Sequence, residues 1–330
     1  MIRDLARPVV LAPLAGGPAT PALAAAVCEV GGLGFLAAGY LSAERLRDDI
    51  RDLRGRTQAP FGVNLFVPGQ PRVDDSAVDA YVARLEDEAA RYETAVGDAH
   101  FDDDDWEAKL RAVRDEKVPI VSFTFGCPDR DVVSELAGSG SQVWVTVTRA
   151  EEARIAKAAG VDALVLQGSE AGGHRASFVD DDVVVPLLDL VAAVARECTL
   201  PLVAAGGLAD RRSVARALDA GASAVQVGTA FMRAPEAGTN AAHKDALATD
   251  APTALTRAFT GRLARGLVNR FLHEHTPHAP SAYPHIHFAT APIRAAARER
   301  LDADGFNLWA GEAHALAEER PAAEIVTRLA

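Results

Sequence analysis

Eight short apolar runs, alternating with stretches of helical composition, constrain the fold of this chain more than any other feature. The runs are "VVLAPL" (9–14), "LGFLAA" (33–38), "FGVNLF" (61–66), "PIVSFTF" (119–125), "QVWVTV" (142–147), "ALVLQ" (163–167), "PLVAAG" (201–206) and "SAVQVG" (223–228). Between them lie segments such as "TPALAAAVCEVGG", "SAERLRDDIRDLRG", "EEARIAKAAG" and "RRSVARALDAG", with capping residues in front and glycine behind. Strand and helix in alternation specify an α/β fold with a parallel sheet. Several runs are apolar nearly throughout, as suits strands covered by helices outside and a packed barrel interior inside. Eight units in about 230 residues match a (β/α)8 TIM barrel, typically ~250 residues long, better than an open doubly wound sheet.

Two segments stand outside the repeat. An acidic, helical excursion occupies 67–117 after strand three, and a His-, Pro- and Arg-rich segment, 231–289, follows strand eight. The expected organisation is a barrel over 1–230 carrying the excursion, a lid or substrate subdomain over 231–289, and helices over 290–330 that return to the barrel. The lid belongs over the C-terminal barrel face, because loops there build the active sites of this fold.

Bulk properties exclude several classes. With 49% hydrophobic residues in 330, the chain can bury a sizeable core and reads as soluble and globular. Its 34 basic against 46 acidic residues leave a net charge of −12, which argues against nucleic acid as a partner. Cys28, Cys127 and Cys198 are odd in number and widely spaced, so neither a disulfide framework nor a cysteine zinc site is indicated, and a reducing, cytoplasmic setting is the expectation. The N-terminal "MIRDLARPVVLAPLAGG" has too short an apolar run for a signal peptide or a membrane span. The oligomeric state is not readable.

Chemistry concentrates at the strand ends. "VAAGGLAD" (203–210) and "VQVGTAF" (225–231) carry glycines just after strands seven and eight, where barrels commonly bind phosphate. Gly206 and Gly207 either expose backbone N–H groups to such a ligand or only shape a tight turn. Gln226 and Thr229 add side-chain donors. Asn64 and Gln167 are amides ending otherwise apolar strands; each needs a buried partner, a ligand ring or a neighbouring backbone. "LQGSEAGGHR" (166–175) delivers His174 on a loop softened by Gly172 and Gly173, placing a neutral imidazole suited to general-base work on the same face.

Other features read as structural. "GGLGFLA" (31–37) resembles a dinucleotide fingerprint, but its glycines end a helix and precede a strand. The histidines of "HEHTPHAPSAYPHIH" (273–287) read as a polar lid loop, since prolines interrupt it and no H-E-x-x-H spacing appears; no metal is expected. Asp102 to Asp105 read as a solvated helix start, and Cys127 lacks an identifiable thiolate-stabilising partner.

On these residues the chain resembles the nitronate monooxygenase family, formerly called 2-nitropropane dioxygenases, FMN enzymes on a TIM barrel. The blocks "LAPLAGGPATPALAAAVCEVGGLGFLAAGYL", "PFGVNLF", "PIVSFTFGCP", "LQGSEAGGHR", "PLVAAGGLADRRSVARALDAGASAVQVGTAF", "FTGRLARGLVNRF" and "NLWAG" carry the likeness. "EAGGHR" is the most specific. The resemblance implies His174 as catalytic base and FMN contacts from Pro13, Leu14, Asn64, Gln167, Gly172, Gly173, Gly206, Gly207, Gln226, Val227, Gly228 and Thr229. It implies oxidation of an alkyl nitronate or nitroalkane by molecular oxygen, giving a carbonyl compound and nitrite. Rival expectations are an FMN-dependent enoyl-acyl-carrier-protein reductase, an NADH:quinone reductase, and a non-catalytic flavin binder. Two positions depart from the family pattern, Ala176 in place of glycine and Glu312 in place of glutamine. A carboxylate at Glu312, if it lines the cavity, disfavours an anionic substrate.

Overall fold

A computed structural model describes residues 2–69 and 73–330 of the chain. Residues 70–72 of the expected excursion lie outside the described part. The eight apolar runs form eight parallel strands: Val9–Leu11, Phe35–Ala37, Gly62–Phe66, Ile120–Thr124, Gln142–Val147, Ala163–Gln167, Leu202–Ala205 and Ala224–Val227. They pair in chain order, and the last pairs with the first. A parallel bridge between Val10 and Leu33 closes the ring, with Leu11 N–H donating to the Leu33 carbonyl and Leu33 N–H to the Val9 carbonyl. The first strand is shorter than its apolar run, so Pro13 and Leu14 lie beyond its end.

Period-two alternation sorts the side chains. Val10, Phe35, Ile120, Trp144, Val165 and Val203 form an inner cluster, while their neighbours Leu11, Leu36, Val121, Val145, Leu166 and Ala204 join the larger cluster under the helices. Phe35 and Trp144 approach within 5.6 Å between ring centroids, filling the barrel as a packed core. Local signals agree with this layout. The helix Arg211–Asp219 starts at a capping box in which Asp210 and Ser213 satisfy each other's backbone N–H groups. "GGLG" follows the helix Pro21–Glu29 and leads into strand two, so it is a helix terminus.

A second core sits beside the barrel. Tyr81 of the helix Asp75–Arg84, Phe259, Phe271, Ile286 and Ile293 of the helix His285–Glu299, and Phe306 share one buried cluster. The excursion after strand three and the segment after strand eight therefore pack together. Tyr81 donates its hydroxyl to the Ala258 carbonyl at 2.7 Å, across 177 residues of sequence. Helix His285–Glu299 runs across the division expected at residue 289, while helix Ala322–Leu329 packs on the barrel cluster. Among the described residues, no helix is long and apolar enough to cross a membrane.

The acidic run corrects one expectation. Asp105 precedes the helix Trp106–Asp115 but makes no side-chain cap to it. Asp104 turns inward instead, pairing at 2.7 Å with Lys109, which is 1% exposed, and accepting the Tyr40 N–H at 2.8 Å. A buried lysine needs that carboxylate, so Asp104 is not part of a solvated face.

Candidate active site

Strand six ends at Gln167, and its loop turns back to form the two-residue strand Gly173–His174. This strand pairs antiparallel with Ala264–Leu267, half of a hairpin with Thr253–Thr256, so His174 sits opposite Ala264 and Gly173 opposite Arg265. Side chains lock the corner from both sides. The Gln167 amide donates to the His174 carbonyl at 3.0 Å and accepts the Ala176 N–H at 2.9 Å. Arg175, 2% exposed, donates to the carbonyls of Gly168 and Gln167, and Arg262 donates to those of Arg175 and Ser177. Arg262 also lies 4.1 Å over the Phe125 ring.

The two loop glycines serve different ends. A Cβ on Gly172 would stand 2.4 Å from the backbone of Ala310 and Gly311, so this close approach is to protein. Gly173 has φ +74 with nothing within 4 Å of an added Cβ; there the requirement is conformational and the space open.

His174 faces a cavity of about 610 Å³ at the C-terminal ends of the strands. Its Nε2 lies 2.8 Å from Thr260 Oγ1. Phe125, Trp309 and Tyr283 ring it at 5.8, 5.4 and 5.9 Å. Enclosure, followed by the charges of Arg262 and Arg294 and opposed by Asp180, pushes its pKa from 6.5 down to about 3. The imidazole is therefore neutral near pH 7, and a weaker base than an unperturbed histidine.

Every position that the sequence resemblance assigned to catalysis or to the flavin lines this one cavity: Pro13 and Leu14 beyond strand one, Asn64, Gln167, Gly172, Gly173, His174, Gly206, Gly207, Gln226, Val227, Gly228 and Thr229. Asn64, 2% exposed, donates to Ser122 Oγ at 2.9 Å and Thr124 Oγ1 at 3.0 Å, so hydroxyls on the next strand meet its demand for partners. Thr229 Oγ1 accepts the Gly311 N–H at 3.0 Å. Ala176 lines the cavity as a 1% exposed residue.

Several residues that sequence reasoning did not select join them. Tyr40 stacks on His287 at 4.1 Å and 5°, and its hydroxyl lies 3.4 Å from that of Tyr283. Thr260, Arg294 and Arg298 line the same cavity. The usable signal was a pair of arginines four residues apart on an otherwise apolar helical stripe, "IRAAAR".

Other expectations shift. Glu312 does not face the cavity; it pairs with Arg265 at 3.0 Å, and its backbone N–H donates to the Glu170 carbonyl. The histidine-rich segment is mostly helical rather than a loop, within Arg270–His275, Thr276–His278 and His285–Glu299. Glu88, Glu274 and His275 converge, but Arg270 spans both carboxylates at 2.8 and 3.0 Å and supplies the local cation. Burial pushes the Cys127 thiol up to about 11, away from a thiolate.

A parallel barrel with a glycine-edged cavity at its strand ends and a buried imidazole in the cavity wall defines a (β/α)8-barrel enzyme. The chain belongs to the nitronate monooxygenase family, whose model matches residues 1–330. This is an oxidoreductase family, flavin-dependent in general. A nitronate monooxygenase from Pseudomonas aeruginosa is 42% identical, covering 98% of this chain and 95% of that protein. One from Paraburkholderia phytofirmans is 38% identical over 98% and 91%. Among solved structures, nitroalkane oxidase from Streptomyces ansochromogenes superposes with a TM-score of 0.97 at 50% identity, covering 99% of this chain and 96% of that one. FabK from Thermotoga maritima superposes at 0.78 with 27% identity, covering 99% and 93%.

Proposed function

We propose that this protein oxidises alkyl nitronates, and nitroalkanes after removal of a proton, with molecular oxygen, giving a carbonyl compound and nitrite. The observation that carries the reading is the placement of His174, bonded by Gln167 and Thr260, with Arg262 holding the next residue's carbonyl, at the wall of the cavity that the glycine-rich strand ends also line. The resident flavin is FMN in this reading. Strand ends seven and eight leave backbone at Gly206, Gly207 and Gly228 bordering the cavity, which suits one phosphate, and among the described residues no separate dinucleotide-binding unit accompanies the barrel. Pro13, Leu14, Asn64, Gln167, Gln226, Val227 and Thr229 would hold the ring and its side chain. When bound, the flavin supplies the redox chemistry.

The chain's own groups do the rest. Neutral His174 accepts the α-proton of a nitroalkane, a step for which a positioned base contributes ~10²- to 10⁴-fold. A preformed nitronate needs no such transfer. Phe125 and Trp309, beside His174 in the cavity wall, shield the reacting carbon from water. With the three thiols unpaired, the setting we propose is cytoplasmic.

Likeness to FabK motivates a test against nicotinamide-driven reduction. Heat release and chromatography identify the flavin, oxygen uptake with a panel of nitronates reports turnover, and anaerobic mixing with NADH reports flavin bleaching. FMN, oxygen uptake and slow bleaching are expected. Recovery of FAD overturns the cofactor; rapid bleaching without nitronate turnover overturns the reaction in favour of a reductase; bound flavin with neither activity favours a binding protein.

A further inference from the structure

In a protein of net charge −12, the cavity carries the opposite sign. Arg294 and Arg298 line it, and among the described residues no carboxylate does. Elsewhere in the same layer arginines have carboxylate partners: Arg257 pairs with Asp180, Arg265 with Glu312, Arg270 with Glu88.

Arg294 differs. It is 5% exposed, yet its hydrogen-bond partners are all neutral: Thr290 Oγ1 at 2.9 Å, Asn307 Oδ1 at 3.3 Å, and the His287 carbonyl and Nδ1 at 2.8 and 3.3 Å. Those contacts occupy four of its five N–H groups and fix the plane of the guanidinium. Arg298 donates to the same Asn307 oxygen at 2.6 Å, so two cations share one neutral acceptor. Burial and the neighbouring Arg298 push the Arg294 pKa down to about 9, the direction expected of a cation enclosed without a counter-ion. An uncompensated buried charge is costly, and a ligand anion is the natural completion.

We propose that Arg294, backed by Arg298, is the charge-selecting group of the substrate site, its charge and its one remaining N–H serving an oxygen of a nitronate and so favouring the anion over the nitroalkane of nearly the same shape. This rests on the nitronate reading above. Nitroalkane and nitronate share their heavy atoms and differ by one proton, so shape alone discriminates poorly and a fixed cation discriminates by charge. The same group helps the proton transfer. His174 is a weak base, and a weak base takes a proton from carbon only where the anion left behind is stabilised.

The test uses flavin-loaded wild type, Arg294→Met, Arg294→Lys and Arg298→Met. Sodium nitrate, a planar oxyanion with no α-carbon, is titrated while the flavin absorbance is followed, with nitromethane as the neutral counterpart. The second readout is the ratio of kcat/KM for a nitronate to kcat/KM for its nitroalkane, and the third is flavin affinity. Expected results are nitrate binding at least tenfold tighter than nitromethane in wild type, a loss of tenfold or more in Arg294→Met, substantial recovery in Arg294→Lys, and unchanged flavin affinity. A folded Arg294→Met with unchanged nitrate binding overturns the proposal, and so does a loss of flavin affinity in step with it, which would assign the guanidinium to the flavin phosphate. Should Arg294→Met not fold, equal binding of nitrate and nitromethane by wild type, or an Arg298→Met variant indistinguishable from wild type toward nitrate, overturns it instead. Tight nitrate binding without turnover of any nitronate supports the anion site while sinking the reaction assigned above.

Discussion

His174 and Thr260 meet through a 2.8 Å contact between the imidazole Nε2 and the threonine Oγ1, although 86 residues separate them in sequence. Thr260 is 2% exposed, and its hydroxyl also lies 3.4 Å from the Arg262 carbonyl and accepts the Arg262 N–H. With Nε2 engaged, Nδ1 is the nitrogen left for a proton. Thr260 is thus a positioning residue. Thr260→Val is expected to forfeit part of the ~10²- to 10⁴-fold that a positioned base contributes, with nitroalkane but not nitronate as substrate. Thr260→Ser should restore most of it. The pH profile of nitroalkane turnover is the discriminating measurement, because a purely structural change would lower both substrates alike and leave the profile in place.

His174→Asn separates the two substrates more sharply. A nitroalkane must lose its α-proton, so its turnover should fall by ~10²-fold or more, while a preformed nitronate keeps most of its rate. Oxygen consumption is measured on flavin-replete wild type and variant at matched pH. Equal losses would assign His174 to positioning, and no loss on either would remove it from the chemistry.

The two loop glycines should respond differently to the same methyl group. Gly172→Ala drives a Cβ into the backbone of Ala310 and Gly311 and is expected to lower the thermal midpoint of the flavin-free protein strongly. Gly173→Ala meets no atom within 4 Å and costs only the positive φ, about 1 kcal/mol. Melts of both apo variants, followed by flavin titration, check the order; a Gly173→Ala protein that melts below Gly172→Ala would contradict it.

The barrel was legible because its cues are local. Continuous apolar runs such as Val9–Leu11, with capping residues in front of several helices and glycines behind, require no knowledge of distant partners. Asn64, Gln167 and His174 were legible because polar groups interrupting apolar strand ends need a reason. What stayed hidden depends on long-range pairing. Nothing in four consecutive aspartates says that Asp104 alone turns in to Lys109 and the Tyr40 N–H. Tyr81 and Ala258 join two segments that read as separate excursions. Glu312 could be placed in or out of the cavity only by finding Arg265 beside it. Arg294 hid behind a sound general rule, that arginine on a helix faces water.

Acid should loosen this fold before its carboxylates titrate. Burial holds His243 down at about 4, with the Trp309 carbonyl accepting at 3.0 Å, and enclosure holds His174 and His287 down at about 3 and about 2. An unfolded chain protonates these rings as pH falls through about 6.5, whereas the folded chain does not. The unfolded state then binds more protons, so stability is present above pH 6.5 and is lost as pH falls toward the folded values. Glu88, held down at about 2 by His275 and Arg270 against its burial, adds a loss of the same sign, but only once pH drops below the ordinary carboxylate range. Between pH 6.5 and 5 the histidines therefore dominate. His243, 6% exposed, borders the same cavity as the other two, and its Nε2 donates to a single backbone carbonyl, that of Trp309. Each fully buried neutral ring contributes a slope of up to ~1.4 kcal/mol per pH unit in this window. Urea unfolding of the flavin-free protein at intervals from pH 7.5 to 5 should show a falling midpoint, and His243→Gln, which keeps an N–H for the Trp309 carbonyl, should flatten the slope by about one proton. A midpoint that stays level down to pH 5 would mean that these imidazoles are already protonated in the folded protein.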